Sequence, residues 1–172
     1  MNALLRNIPA SQFSIVGFPS NQFGHQEPGD NATEILNGLR YVRPGGGFEP
    51  HPDMHMMLKC DVNGPDEIPL YAYLKASCPQ PRTAEFHPRE NFWEPIKASD
   101  VEWNFEKFLV SPDGVPLFRF RAMVEPIDLK KLFIALLSPV EDLAAQRREV
   151  GKILKDLDGE IKKREEAADE ES

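Results

Sequence analysis

The chain has 172 residues, 41% hydrophobic and 28% charged, a balance that suits one folded domain with room for an appendage. Its net charge of -8 and pI ≈ 5.1 argue against a nucleic-acid surface, which needs clustered Lys and Arg. Cys60 and Cys78 are too few for a disulfide scaffold, and the apolar run Leu132 to Leu137 is too short to span a bilayer.

In chain order, "MNALLRNIP" reads as the last turns of a helix stopped by Pro9, without the apolar core of a signal peptide. "QFSIVGF" predicts a strand covered on both faces. It runs into "FPSNQFGHQEPG", a corner rich in side-chain donors, among them Asn21, Gln22, His25 and Gln26. Corners at the carboxyl ends of strands are where open α/β sheets bind ligands, although an Asx-type turn serving its own backbone would look the same.

Asn31 to Arg40 predicts a helix, with Asn31 as cap and Glu34 as its capping-box partner. Residues 43–53 form a Gly/Pro-rich loop, "MMLKCDVNG" a strand ending in an Asn-Gly turn, and "IPLYAYLKASC" an amphipathic helix. Residues 79–98 read as a long surface connection. "NFEKFLV" and "VPLFRF" flank Ser-Pro-Asp-Gly, the clearest hairpin signal in the chain, and Asp128 to Leu137 is a further helix. Strands alternating with helices point to a three-layer α/β domain.

The tail differs in kind. Ser138-Pro139-Val140-Glu141 reads as a capping box that opens a helix. Val140, Leu143, Val150, Leu154, Leu157 and Ile161 then recur at a 3-4 spacing. That stripe suits a helix laid on its own domain, with a short coiled-coil contact as the alternative.

"VEWNFEKFLV" is a second polar-aromatic cluster, in which Trp103 offers an indole N–H and Asn104 two amide donors. His51, His55 and Cys60 raise the question of a metal, but Pro52 opposes a helix there, and the segment reads as a loop with no metal site. "RPGGGF" lacks the Gly-Lys-Ser/Thr ending of a phosphate-binding loop.

"VGFPSNQFGHQEPGDNATEIL", "LRYVRPGGGFEP", "KCDVNG" and "FWEPIKASDVEWNFEKFLVSPDGVP" together resemble the glutathione peroxidases in order and spacing. The last of these is most similar to the plasma-type branch. The resemblance spans roughly residues 1–137 and leaves 138–172 as an amphipathic, acidic helical tail. It implies a thioredoxin-like three-layer sandwich and the reduction of hydrogen peroxide and organic hydroperoxides, with glutathione as co-substrate and no further cofactor. By motif, Gln26, Trp103 and Asn104 would surround a selenocysteine or cysteine nucleophile, whose anion they would stabilise.

The nucleophile and its strand, by the same resemblance, fall upstream of Met1, so the fold is expected to lack its N-terminal strand or strands and the 172-residue chain to be inactive alone. A restart of the reading frame after a UGA codon would explain this. The rival reading is a truncated, non-catalytic paralogue that binds partners through its C-terminal helix.

Arg119 and Arg121 are candidate substrate-binding residues, but Ala122 and Met123 stand where cytosolic relatives place arginines. The helix 31–40 has no resolving cysteine, which favours glutathione over an internal disulfide, and Cys60 and Cys78 read as small hydrophobes. The loop around 44–48 resembles that of tetrameric members and implies a homotetramer. The subgroup leaves extracellular and cytoplasmic locations open and leans towards the former.

Overall fold

The structure, a computed structural model, describes residues 1–79 and 91–170. The chain divides into two compact units, one formed by 15–122 and the other by 1–14 together with 123–172. Most of the connection expected over 79–98 lies outside the described residues. Helices and short two-stranded sheets alternate, as the α/β reading anticipates.

Within the unit 15–122, β1 (Ile15–Gly17) pairs in parallel with β2 (Met54–Met56), Val16 opposite His55. The expectation of a strand covered on both faces is not met, because Val16 remains 49% exposed. The second strand also falls earlier than "MMLKCDVNG" suggests. Met57 and Cys60 still follow the first segment, their N–H groups donating to Gly17 and Pro19 carbonyls at 2.9 and 3.0 Å. Regular pairing ends where Phe18-Pro19 turns the chain, since Pro19 brings no N–H to a ladder.

Helix α2 (Ala32–Tyr41) starts on Asn31, whose side chain accepts from the Glu34 N–H. Glu34 reciprocates on the Asp30 N–H at 2.8 Å and on the Asn31 amide, a shifted form of the predicted box. Helix α3 (Pro69–Ser77) has Pro69 in its first turn, where a missing N–H is harmless. Strands β3 (Lys107–Val110) and β4 (Pro116–Phe120) form the predicted antiparallel hairpin. Gly114 takes φ +85 and donates its N–H to the Ser111 carbonyl, closing the turn.

The core of this unit has an apolar and a polar half. Phe23, Val62, Trp93 and Val101 are buried together, with Cys60, Tyr71, Trp103 and Phe108 packed against them. Beside them runs a buried hydrogen-bonded chain. The Gln22 side chain donates to the Asn63 carbonyl and accepts from the N–H groups of Val62 and Asn63 at 2.9 and 3.0 Å. The Asn63 side chain in turn donates to the Val101 carbonyl and accepts from its N–H, both at 2.9 Å.

Lys75 donates to Asn63 and to Asp100, and its ion pair with Glu67 adds a second carboxylate. Asp100, with 0% exposure, also accepts from the Trp93 indole and the Lys97 N–H. A buried charge is tolerated only when paired and fully hydrogen-bonded, and Asp100 is. Gly64 completes the arrangement: its φ is +82, and a Cβ there would sit 3.1 Å from Trp93 Cβ.

Within the other unit, α1 (Asn2–Leu5) buries Leu4 and Leu5. A 3-10 turn (Pro126–Leu129) leads into α4 (Lys130–Leu137), whose Leu132, Phe133 and Ala135 are buried. Phe13 and Phe133 approach to 4.8 Å between ring centres. Helix α5 (Leu143–Glu170) packs on α4, as the surface-helix reading expects. The predicted capping box at Ser138–Glu141 is not the start of this helix. Asp142 caps it instead, accepting from the N–H groups of Ala144 and Ala145 at 2.8 and 3.1 Å. Val140 and Leu143 are therefore exposed, and the inward stripe is Val150, Leu154, Leu157 and Ile161. Arg164 clamps Asp128 through two bonds of 2.7 and 3.1 Å.

Two outcomes follow. Asp100→Ala leaves Lys75 with Glu67 as its one carboxylate and takes the acceptor from the Trp93 indole and the Lys97 N–H, and is expected to cost about 3–5 kcal/mol in urea unfolding; a loss below about 1 kcal/mol would show that these groups are satisfied without Asp100. Leu157→Ala on α5 should cost about 2 kcal/mol and expose the helix to limited proteolysis. Unchanged proteolysis would mean that α5 is not held by this stripe.

Candidate functional site

Two chain corners in the unit 15–122 carry the candidate residues. The first, residues 21–27, is held by Asn21, whose side-chain oxygen accepts from the Glu27 N–H at 3.1 Å. Gln22 anchors it inward to 62–63, and Phe23 enters the apolar cluster. Gly24 lies at φ +59, where a Cβ would press on the Gln26 side chain at 3.3–3.5 Å. A glycine is thus needed both for the turn and for the placement of Gln26. Gln26 itself stands exposed.

The second corner, residues 100–106, hangs from the buried Asp100 and from Val101 in the grip of Asn63. Trp103 turns inward and meets Phe23 edge-on at 6.0 Å. The next residue, Asn104, donates from Nδ2 to Gln26 Oε1 at 2.9 Å, a bond across 78 positions of sequence. The structure therefore joins Gln26 to Asn104 directly and joins Trp103 to the same corner through Phe23. With Gln26 accepting, its own NH2 group and the second Asn104 N–H remain as donors beside this bond. Neutral donors of this kind stabilise an anion without supplying an acid that would protonate it.

Arg119 and Arg121, on and just after β4, meet the second corner through Glu106 and Glu102 and are not bonded to Gln26 or Asn104. Arg119 is 7% exposed, ion-paired to Glu106, and donates to the carbonyls of Cys78, Ser99 and Asp100 at 3.2, 3.0 and 2.8 Å. Its donors are spent on joining segments of the unit. Arg121 keeps 31% of its side chain exposed and faces Glu102 at 3.5 Å.

Neither thiol is built for attack. Burial, with Asp61 adding to it, pushes the Cys60 thiol above its ordinary range, so less thiolate forms, and Cys78 is buried. Among the described residues no cluster of three or more His, Cys, Asp or Glu is placed to hold a metal. Among the same residues no helix is long and apolar enough to cross a membrane. Two depressions of about 560 and 420 Å³ are lined by residues between Asn91 and Ile96 and by neither Gln26 nor Asn104.

Sequence reasoning missed the residues that place the wall. Lys75 sits in "YAYLKAS" like any solvated helix lysine, and Asp100 in "KASD" carries no local signal. The Asn-Gly turn at 63–64 and the donor-rich corner that contains Gln22 marked two members of the network in advance.

One titration is open to test. Burial pushes the Glu102 carboxyl up, against the pull of Arg121. The folded chain then holds this proton more tightly than the unfolded chain. Its contribution to stability is full below the ordinary carboxylate pKa and is lost as pH rises through the raised value. Glu102→Gln removes this dependence and should flatten the decline in melting temperature between about pH 4 and pH 7; an unaltered profile would contradict it.

Comparison with known proteins bears on these residues. A sequence model described as Glutathione peroxidase matches residues 1–75. The chain is 48% identical over 138 residues to an epididymal secretory glutathione peroxidase of Mus musculus, covering 80% of this chain and 61% of that protein. It is 49% identical over 142 residues to glutathione peroxidase 1 of Hylobates lar, covering 80% and 69%. With glutathione peroxidase 3 of Mus musculus the identity is 52% over 120 residues, covering 70% and 52%. The chain thus spans only part of the length of these relatives. A solved structure titled "Crystal structure of Trgpx in apo form" aligns with 79% of this chain and 64% of that one, at TM-score 0.48 and 28% identity. The sequence relatives are sufficient: the chain belongs to the glutathione peroxidase family.

Proposed function

We propose that the protein reduces hydrogen peroxide and organic hydroperoxides at the expense of glutathione, with Gln26, Trp103 and Asn104 as the donors around the reacting atom. The observation that carries this reading is the Asn104–Gln26 hydrogen bond, which unites two motifs far apart in sequence into one donor surface. A selenolate or thiolate attacks one peroxide oxygen, the O–O bond breaks, and the departing alkoxide takes a proton and leaves as alcohol. The resulting selenenic or sulfenic acid is reduced by one glutathione to a mixed species with loss of water. A second glutathione releases glutathione disulfide and restores the anion.

Cys60 and Cys78 do not suit the role of nucleophile, so the proposal places it on a strand preceding Met1. The open side of β1 supports this: its ladder partner among the described residues is β2 alone, and Val16 is half exposed. A strand added there would pair the free edge and cover Val16. The chain of 172 residues is then inactive by itself. The rival role for the C-terminal helix draws less support, since the stripe on α5 is used within its own unit. Of the two arginines, Arg121 is the one with surface to offer a glutathione carboxylate.

A homotetramer through residues 44–48 belongs to the same proposal. Gly45, Gly46 and Gly47 all take positive φ, and the preceding Tyr41 and Val42 present apolar surface to solvent. An extracellular location is favoured by likeness to a relative named as secretory.

In a chain extended to include the upstream nucleophile, Gln26→Ala or Asn104→Ala is expected to lower peroxide turnover by about 10²-fold, while the 172-residue chain shows none. Full activity in either variant, or turnover by the short chain, would overturn the reading. Light scattering on the extended protein should give four copies, and a monomer would remove the assembly from the proposal.

A further inference from the structure

Of the chain's asparagines, only Asn31 has a serine or threonine two positions on, in the stretch Asn31-Ala32-Thr33. The middle residue is not proline. This is the tripeptide to which the secretory pathway attaches N-linked sugar. An amide nitrogen is a poor nucleophile, because its lone pair is shared with the carbonyl. Its glycosylation therefore needs an enzyme that recognises the hydroxyl two residues on, and a side chain that the folded protein leaves outside.

The fold meets the second requirement. Asn31, Ala32, Thr33 and Glu34 are all exposed. Asn31 has φ -139 and ψ 167, extended backbone that follows Pro28-Gly29-Asp30 and directly precedes α2. Its side chain already serves as the helix cap, and a sugar has to be reconciled with that role. Oδ1 accepts from the Glu34 N–H at 3.0 Å, and Nδ2 donates to Glu34 Oε1 at 2.8 Å. Glycosylation replaces one of the two hydrogens on Nδ2. The capping oxygen is untouched, and the second hydrogen remains for Glu34. Asn63 shows the opposite case: it is 1% exposed with both amide atoms bonded inside the core, and no sugar would fit there. The ten residues of α2 also separate Asn31 from the 44–48 loop by about 15 Å along the helix, which leaves that loop clear.

We infer that Asn31 is a site of N-linked glycosylation. In the transfer, Nδ2 forms a C–N bond to the anomeric carbon of an oligosaccharide carried on a lipid diphosphate. The bond from that carbon to the diphosphate oxygen breaks, the lipid diphosphate leaves, and Nδ2 gives up one proton. Nothing is oxidised or reduced. The inference rests on the extracellular location proposed above and is independent of the peroxidase chemistry.

The test directs the 172-residue chain into the secretory pathway of a eukaryotic host with an added leader. Peptide N-glycosidase then removes N-linked sugar and leaves Asp where the acceptor Asn stood. The parent is expected to run as a heavier species that this treatment reduces to the bare chain, with Asp at position 31 by mass spectrometry. Thr33→Ala leaves the Asn31 cap in place and should abolish the heavier species, and Thr33→Ser should retain it in whole or in part. A bare parent chain, or a heavier species that persists in Thr33→Ala, would overturn the inference. Because the added leader fixes the route, failure here is distinct from failure of the location, which fractionation of the natural protein decides.

Discussion

The carboxylate of Asp100 is the constraint on which the unit 15–122 depends. It is fully buried, and its partners come from two stretches of chain: Lys75 on α3, and the segment that carries the indole of Trp93 and the N–H of Lys97. Asn63 shares Lys75 with it and fixes Val101 by two bonds, and Gln22 fixes Asn63 in turn. Every link is a buried polar contact, individually worth about 1 kcal/mol net but costly to leave half made. Such a network is less a source of stability than a means of allowing one arrangement and no other. The arrangement it allows brings residues 22–26 and 101–104 side by side.

That placement is what turns ordinary amides into a chemical surface. Exposed glutamines and asparagines rotate freely in water and stabilise nothing in particular. Here Gly24 leaves room for the Gln26 side chain on one corner, and Trp103 is pinned against Phe23 on the other. The Asn104–Gln26 bond then orients the remaining N–H groups before any substrate arrives. Preorganised neutral donors act most strongly where charge builds up, because no reorganisation is needed at the moment of reaction. Cys60, its thiol pushed up by burial and by Asp61, takes no part in this bond.

Local signals were legible in the sequence, and long-range ones were not. The Asn31 cap and the Ser-Pro-Asp-Gly hairpin were readable because the groups that satisfy each other lie within a few residues. The start of α5 was misread because Ser138 and Asp142 are both plausible caps, and only packing on α4 decides between them. β2 lies earlier than expected because its register follows β1 and not its own composition. Gln26, Trp103 and Asn104 could be named from motif, but the buried Lys75 and Asp100 looked like surface charges. Arg119 looked like a ligand for substrate, and only its burial beside Glu106 reveals an internal role. Burial is a property of the folded chain, so a charged residue in a short segment carries no mark of it.

The most direct measurement is the pair of side-chain amide signals of Gln26 and Asn104 in a chain carrying Asn63→Ala, compared with the parent at a temperature where both are folded. Asn63 touches neither residue, yet it fixes Val101, three positions before Asn104. If the buried network sets the donor wall, both signals should move or broaden, and the exchange protection of the Asn104 amide should fall. Unchanged signals in a folded but less stable Asn63→Ala chain would contradict it, and would leave the network as a stabilising element with no hold on the site.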